Sequence, residues 1–120
     1  MQAKKIDGSY IVRLEIGEEV VSMLAQWVRK RRIQSGWLMG LGAVKQTTLG
    51  IYNLAFHKYE KQVFAEDHEL VNMTGNIAWL DKEPVLHIHA VIADEEMKCH
   101  GGHLFSALTA VTVEVVFTPG

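Results

Sequence analysis

The sequence predicts an α+β fold, a mostly antiparallel β-sheet packed against one main α-helix. Three observations carry this reading. Only one stretch shows convincing helical periodicity, the rest is dominated by short alternating or β-branched runs, and the connections are hairpin-type turns rather than further helices. No linker, repeat or low-complexity segment divides the 120 residues, so one domain over residues 1–120 is expected.

Residues 10–16 alternate, with Val12, Leu14 and Ile16 on one face, the period of a half-buried strand. Gly17-Glu18-Glu19 interrupts it and sets acidic side chains where a helix N-terminus favours them. Val20, Val21, Leu24, Trp27 and Val28 then recur at three- and four-residue spacing, which predicts an amphipathic helix over about residues 18–33. Residues 37–39 and 44–56 read as strands, among glycines at 36, 40, 42 and 50. Residues 57–61 read as a polar turn. Strands at 63–65 and 69–74 follow, with Gly75-Asn76 as a turn signal. Residues 77–80 pair with 85–92 around the turn 81–84, and the chain closes on an alternating strand at 107–118.

Composition excludes several classes. A hydrophobic fraction of 48% and a mean hydropathy of +0.06 describe a folded globule rather than a disordered chain, with room for a buried subunit interface. Net charge is −2, without the basic footprint of a dedicated nucleic-acid binder; the one basic run is Arg29-Lys30-Arg31-Arg32, read as a solvated helix end. A single cysteine, Cys99, forbids an intrachain disulfide and fits a reducing compartment. The N-terminus lacks the apolar core of a secretory signal. The longest uncharged stretches, 33–44 and 100–113, are too short to span a bilayer, so a cytoplasmic protein without membrane contact is expected.

Chemistry concentrates in four histidines within seventeen positions, His87-Ile-His89 and His100-Gly-Gly-His103. On a strand, residues two apart share a face and stand about 6.6 Å apart along it, so His87 and His89 can converge on one ion. Leu86, Ile88 and Ala90 then face the core. Gly101-Gly102 reads as a sharp bend presenting His103. Three imidazoles with a fourth position open is the arrangement of a catalytic rather than a closed structural zinc site. Buried hydrogen-bonded histidines without metal, or metal-free acid–base chemistry, are the alternatives. His100 is a weaker candidate, since a three-residue spacing aligns side chains on a helix and not on a strand, and Cys99 reads as an idle thiol. Glu69, opening the strand Leu70-Val71-Asn72-Met73, is the candidate base or hydrogen-bond partner of the histidines. The glycine segment 36–43 matches no nucleotide loop and reads as close strand or subunit packing, and no serine sits in a nucleophile-elbow context. Trp27, Trp37 and Trp79 read as core or interface anchors.

Arg13-x-x-x-Gly17-Glu18, Ser35-Gly36-Trp37-x-x-Gly40-x-Gly42-Ala43, Tyr52 and Lys58-Tyr59 are followed by Glu69-Leu70, Gly75-Asn76-Ile77, His87-x-His89, Gly101-Gly102-His103-Leu104 and Glu114. In this order they resemble the plants-and-prokaryotes-conserved (PPC) domain in its stand-alone prokaryotic form, over essentially the whole chain. The resemblance implies an α+β fold assembled as a homotrimer, with His87, His89 and His103 gathered near a subunit boundary around a zinc-like metal. Zinc or another divalent transition metal, or a small ligand, is therefore the expected occupant. Plant relatives carry the domain beside an AT-hook and act as DNA-binding regulators. No Arg-Gly-Arg-Pro hook occurs in this sequence. A DNA-associated regulator, with the domain serving oligomerisation and partner contacts, is therefore the alternative function; it would bind through residues 29–32. The resemblance also leads one to expect a longer tail after Thr118-Pro119-Gly120.

Overall fold

The computed structural model describes residues 1–120. Seven strands and one helix follow in the order β1 (Gln2–Ile6), β2 (Ser9–Glu15), α1 (Val20–Arg31), β3 (Gly36–Asn53), β4 (Lys58–Phe64), β5 (His68–Leu80), β6 (Glu83–Ala93) and β7 (Cys99–Pro119). Every pairing is antiparallel, in the order β1-β2-β7-β6-β5-β3-β4. An additional β3–β7 ladder, from Gly36↔Pro119 to Gly50↔His103, closes β3, β5, β6 and β7 into a ring. The mostly antiparallel α+β fold read from the sequence is the fold observed. No helix is long and apolar enough to cross a membrane.

Burial follows the alternation. Val12 and Leu14 of β2, Leu38 of β3, Met73 of β5, Ile88 and Ile92 of β6, and Val113, Val115 and Phe117 of β7 are fully or almost fully buried. The helix supplies Val20, Leu24, Trp27 and Val28 and packs on β6 and β7. Trp27 stands edge-on between Tyr10 and Phe117, with ring centroids 5.1 and 5.5 Å away, a geometry that suits aromatic quadrupoles.

The helix ends are set chemically. The Glu19 carboxylate accepts hydrogen bonds from the backbone N–H groups of Val21 and Ser22 (both 2.9 Å) and also from Ala107 (3.0 Å). It thereby satisfies two helix-start donors and ties that start to β7. At the other end Arg32 adopts φ 53° and ψ 38°, and the Ile33 N–H bonds the Val28 carbonyl at 3.2 Å. This is a left-handed cap of the kind usually given to glycine.

Several sequence expectations are corrected. Residues 2–6 form a strand that the reading left out, because Lys4 and Lys5 break the apolar alternation; charge is what a sheet-edge strand tolerates. Ile16 lies beyond β2 and is 69% exposed. The glycine segment does not divide residues 36–53, since β3 absorbs Gly40 and Gly42 in a register shift. The turn expected at 57–61 falls at 54–57, where the Asn53 side chain accepts from the N–H groups of Ala55 and Phe56. Exposed Leu54 and Phe56 had given that turn a strand-like texture. Gly75-Asn76 is no turn. β5 runs through it, and a Cβ on Gly75 would stand 2.3 Å from the His87 carbonyl, so glycine there lets β6 approach. The predicted hairpin between residues 77–80 and 85–92 is present, turning at Asp81 and Lys82 with φ 52° and 69°, the left-handed pair of a tight hairpin.

Candidate metal centre

Strand parity builds the centre. Ile88 and Ala90 of β6 are buried, so His87 and His89 face outward together. His103 of β7 lies opposite His89 in the ladder, and paired residues share a face. Ring centroids are 5.0 Å apart for His87–His89, 5.4 Å for His87–His103 and 5.7 Å for His89–His103. One nitrogen from each ring lies within 4.8 Å of the others. Zinc–nitrogen bonds in a tetrahedron set nitrogens about 3.3 Å apart, so a closing of up to about 1.5 Å completes the geometry. His87 and His89 are exposed and free to make it.

His103 is the anchored member. It sits half-buried between Tyr59 (5.0 Å) and Phe105 (4.6 Å), and its Nδ1 is buried with no hydrogen-bond partner. Burial lowers its pKa from the ordinary 6.5, and the positive potentials of His87, His89 and Lys61 act in the same direction. Both effects favour the neutral ring, the state in which imidazole binds a metal. The donor set and the unpaired nitrogen both fit a divalent transition metal. Beside them, Trp37, Thr74, Gly75, Asn76, His87 and His89 line a shallow depression of about 250 Å³.

The expected bend at Gly101-Gly102 is absent, because both residues lie within β7. A Cβ on Gly102 would stand 2.7 Å from the Gly50 carbonyl oxygen, so glycine permits close approach of β3 rather than a turn. Glu69 is not brought to the histidines. It pairs with Ala93 at the other end of β5, whereas Thr74 pairs with His89, roughly 16 Å further along the strand. His100 pairs with Ile92 and faces away from His103. It contacts Asp94 (Nε2 to Oδ2, 3.5 Å) and the Phe64 ring (4.8 Å), near buried His68, whose Nδ1 bonds the Glu66 carbonyl at 2.8 Å. Cys99 is exposed and outside both clusters. Trp27 is a core anchor, Trp79 donates to the Ile33 carbonyl, and Trp37 is 64% exposed. The sequence reading missed Lys61 and Phe105; the period-2 pairs Tyr59/Lys61 and His103/Phe105 were the available signal.

Two of the four basic residues at the helix end are engaged within the chain. Arg29 pairs with Glu83, and the Arg31 guanidinium lies 5.2 Å from the Tyr10 ring and 5.4 Å from the Trp27 ring.

Fold and site together describe a closed antiparallel sheet that carries three convergent imidazoles on its outer face. The chain belongs to the Plants and Prokaryotes Conserved domain family (PCC, also written PPC), whose model matches residues 1–119. The crystal structure of "a putative DNA binding protein" from Bacteroides thetaiotaomicron is 31% identical, with a TM-score of 0.95 over 98% of this chain and 82% of that one. The structure of a metal-containing protein from Archaeoglobus fulgidus is 27% identical, with a TM-score of 0.88 over 98% and 81%. The bifunctional protein GlmU of a Synechococcus species is 26% identical over 109 residues, 89% of this chain; the chain spans only 16% of that relative's length.

Proposed function

We propose that this chain acts as a homotrimeric metal-binding protein in which His87, His89 and His103 hold zinc or another divalent transition metal. The observation that carries the reading is the convergence of three ring nitrogens within 4.8 Å, one of the three rings having a buried, unpartnered Nδ1. A similar structure is that of a protein described as metal-containing, which supports the same reading. Three ligands leave a position for water or a small ligand, and a bound metal would supply acidity to that water. Elemental analysis and native mass spectrometry of protein purified without a histidine tag test this, with about one transition metal per chain expected. Absence of metal, together with no change in melting temperature on adding zinc, overturns it.

The trimer is supported by the outer face that carries the histidines. Trp37 (64%), Met39 (58%), Leu41 (55%) and Val116 (45%) are exposed there, an apolar patch of the kind that marks an interaction surface. Further copies of this chain are its proposed cover, and light scattering reports the subunit number directly.

A DNA-associated role is the second reading, favoured by the description of the Bacteroides relative. It predicts a mobility shift at low salt that is abolished by neutralising residues 29–32. No shift in low salt rejects it.

A further inference from the structure

We infer that Lys61 and the aromatic rings beside His103 form the anion-recognising half of this site, so that its ligand is a small oxyanion, a carboxylate or a phosphate. This rests on the histidines being a metal centre and says what that centre receives.

The ladders set one row across four strands. His89 is opposite His103, His103 is opposite Gly50, and Gly50 is opposite Lys61. Residues in register share a face, so Lys61 stands on the histidine side of the sheet, two strands from His103 and about 10 Å away at the backbone. Lysine's four-carbon stem covers most of that distance. Gly50 leaves the intervening space open, and the Phe105 ring fills it: a Cβ on Gly50 would fall 2.7 Å from the Phe105 ring and 3.5 Å from the Lys61 stem. The Lys61 ammonium lies 4.1 Å from the Phe105 ring centroid, and that ring is 4.6 Å from the His103 ring. Tyr59 packs on both His103 (5.0 Å) and Phe105 (5.1 Å), and Tyr52 stands behind it at 5.2 Å.

Charge then selects the ligand. Imidazole ligands carry no charge of their own to a metal, so a bound divalent ion would keep its charge, and the Lys61 ammonium stands in the same row of the sheet. Glu60, next in the chain, belongs to the opposite strand face and is occupied by the Asn53 amide at 2.9 Å. A metal held by the histidines, together with an ammonium against aromatic walls, would favour an anion as ligand, with Lys61 supplying a charge-assisted hydrogen bond to it.

The test uses the full chain loaded with cobalt(II), whose visible bands report on its ligands. Wild type, Lys61→Met and Lys61→Arg are titrated separately with inorganic phosphate and with acetate. Expected results are band shifts with at least one of the two anions, affinity for that anion weakened roughly tenfold or more in Lys61→Met, recovery in Lys61→Arg, and cobalt binding retained by all three proteins. The tighter anion of the two assigns phosphate or carboxylate. Equal anion affinity in Lys61→Met and wild type, or no response to either anion, overturns the assignment while leaving the metal centre standing. Failure of wild type to bind cobalt removes the metal reading itself, and this assignment with it.

Discussion

Replacing His103 by phenylalanine separates a metal ligand from a structural histidine, because the two roles predict opposite signs. His103 is packed between the Tyr59 and Phe105 rings and carries a buried Nδ1 without a partner. Leaving a buried polar atom unsatisfied costs about 1–3 kcal/mol. The ring is only half-buried, so about 1 kcal/mol is the appropriate figure. Phenylalanine keeps the stack and removes the unpaired nitrogen. In chelator-treated protein, His103→Phe is therefore expected to raise the melting temperature by about 4 °C for a chain of this length. With zinc at a hundred times its dissociation constant, wild type gains about 2.7 kcal/mol, or roughly 10 °C, and the variant loses most of that gain. Differential scanning calorimetry with and without zinc reads both numbers. A variant that melts well below wild type in chelator, or one that keeps the full zinc increment, refutes the reasoning.

Other expectations follow from the same structure. Glu19→Ala removes the acceptor of three backbone N–H groups and should cost about 2–4 kcal/mol, lowering the melting temperature by roughly 10 °C in thermal denaturation followed by circular dichroism. In metal-free protein the lowered pKa of His103 makes the unfolded chain bind a proton that the folded chain refuses. Its contribution to stability should therefore decline as pH falls below about 6.5 and level off below the folded-state value; urea titrations from pH 7.5 to 5 should show this slope in wild type and lose it in His103→Phe. Trp37→Asp alters a side chain that is 64% exposed within one chain. It should leave the circular dichroism spectrum unchanged while converting the proposed trimer to monomer in light scattering, and an unchanged assembly mass would count against the apolar face as the interface.

Much of the architecture was legible because burial repeats with strand and helix periods. The alternation of Val12 and Leu14, the helical spacing of Val20, Leu24, Trp27 and Val28, and the hairpin around Asp81 and Lys82 each announce themselves locally. Glycine was the misleading signal. Gly75, Gly101 and Gly102 read as turns, yet each lies within a strand, and at Gly75 and Gly102 the absent Cβ makes room for a neighbouring backbone. A glycine kept for close approach is indistinguishable in sequence from one kept for a bend.

By itself the sequence determined the α+β class, the pairing of His87 with His89 on one face, and the likeness to the family to which the chain belongs. Those properties depend on residues close together in the chain or on a motif order. The trio with His103 and the setting aside of His100 were expected from spacing and likeness, but only the tertiary structure decided the register that sets His103 opposite His89 and puts Glu69 at the far end of β5. It also decided that Lys61 comes to the row through Gly50. Register between distant strands sets these partners, and since a one-residue slip reverses every face, local patterns could not fix which residues meet across the ladders.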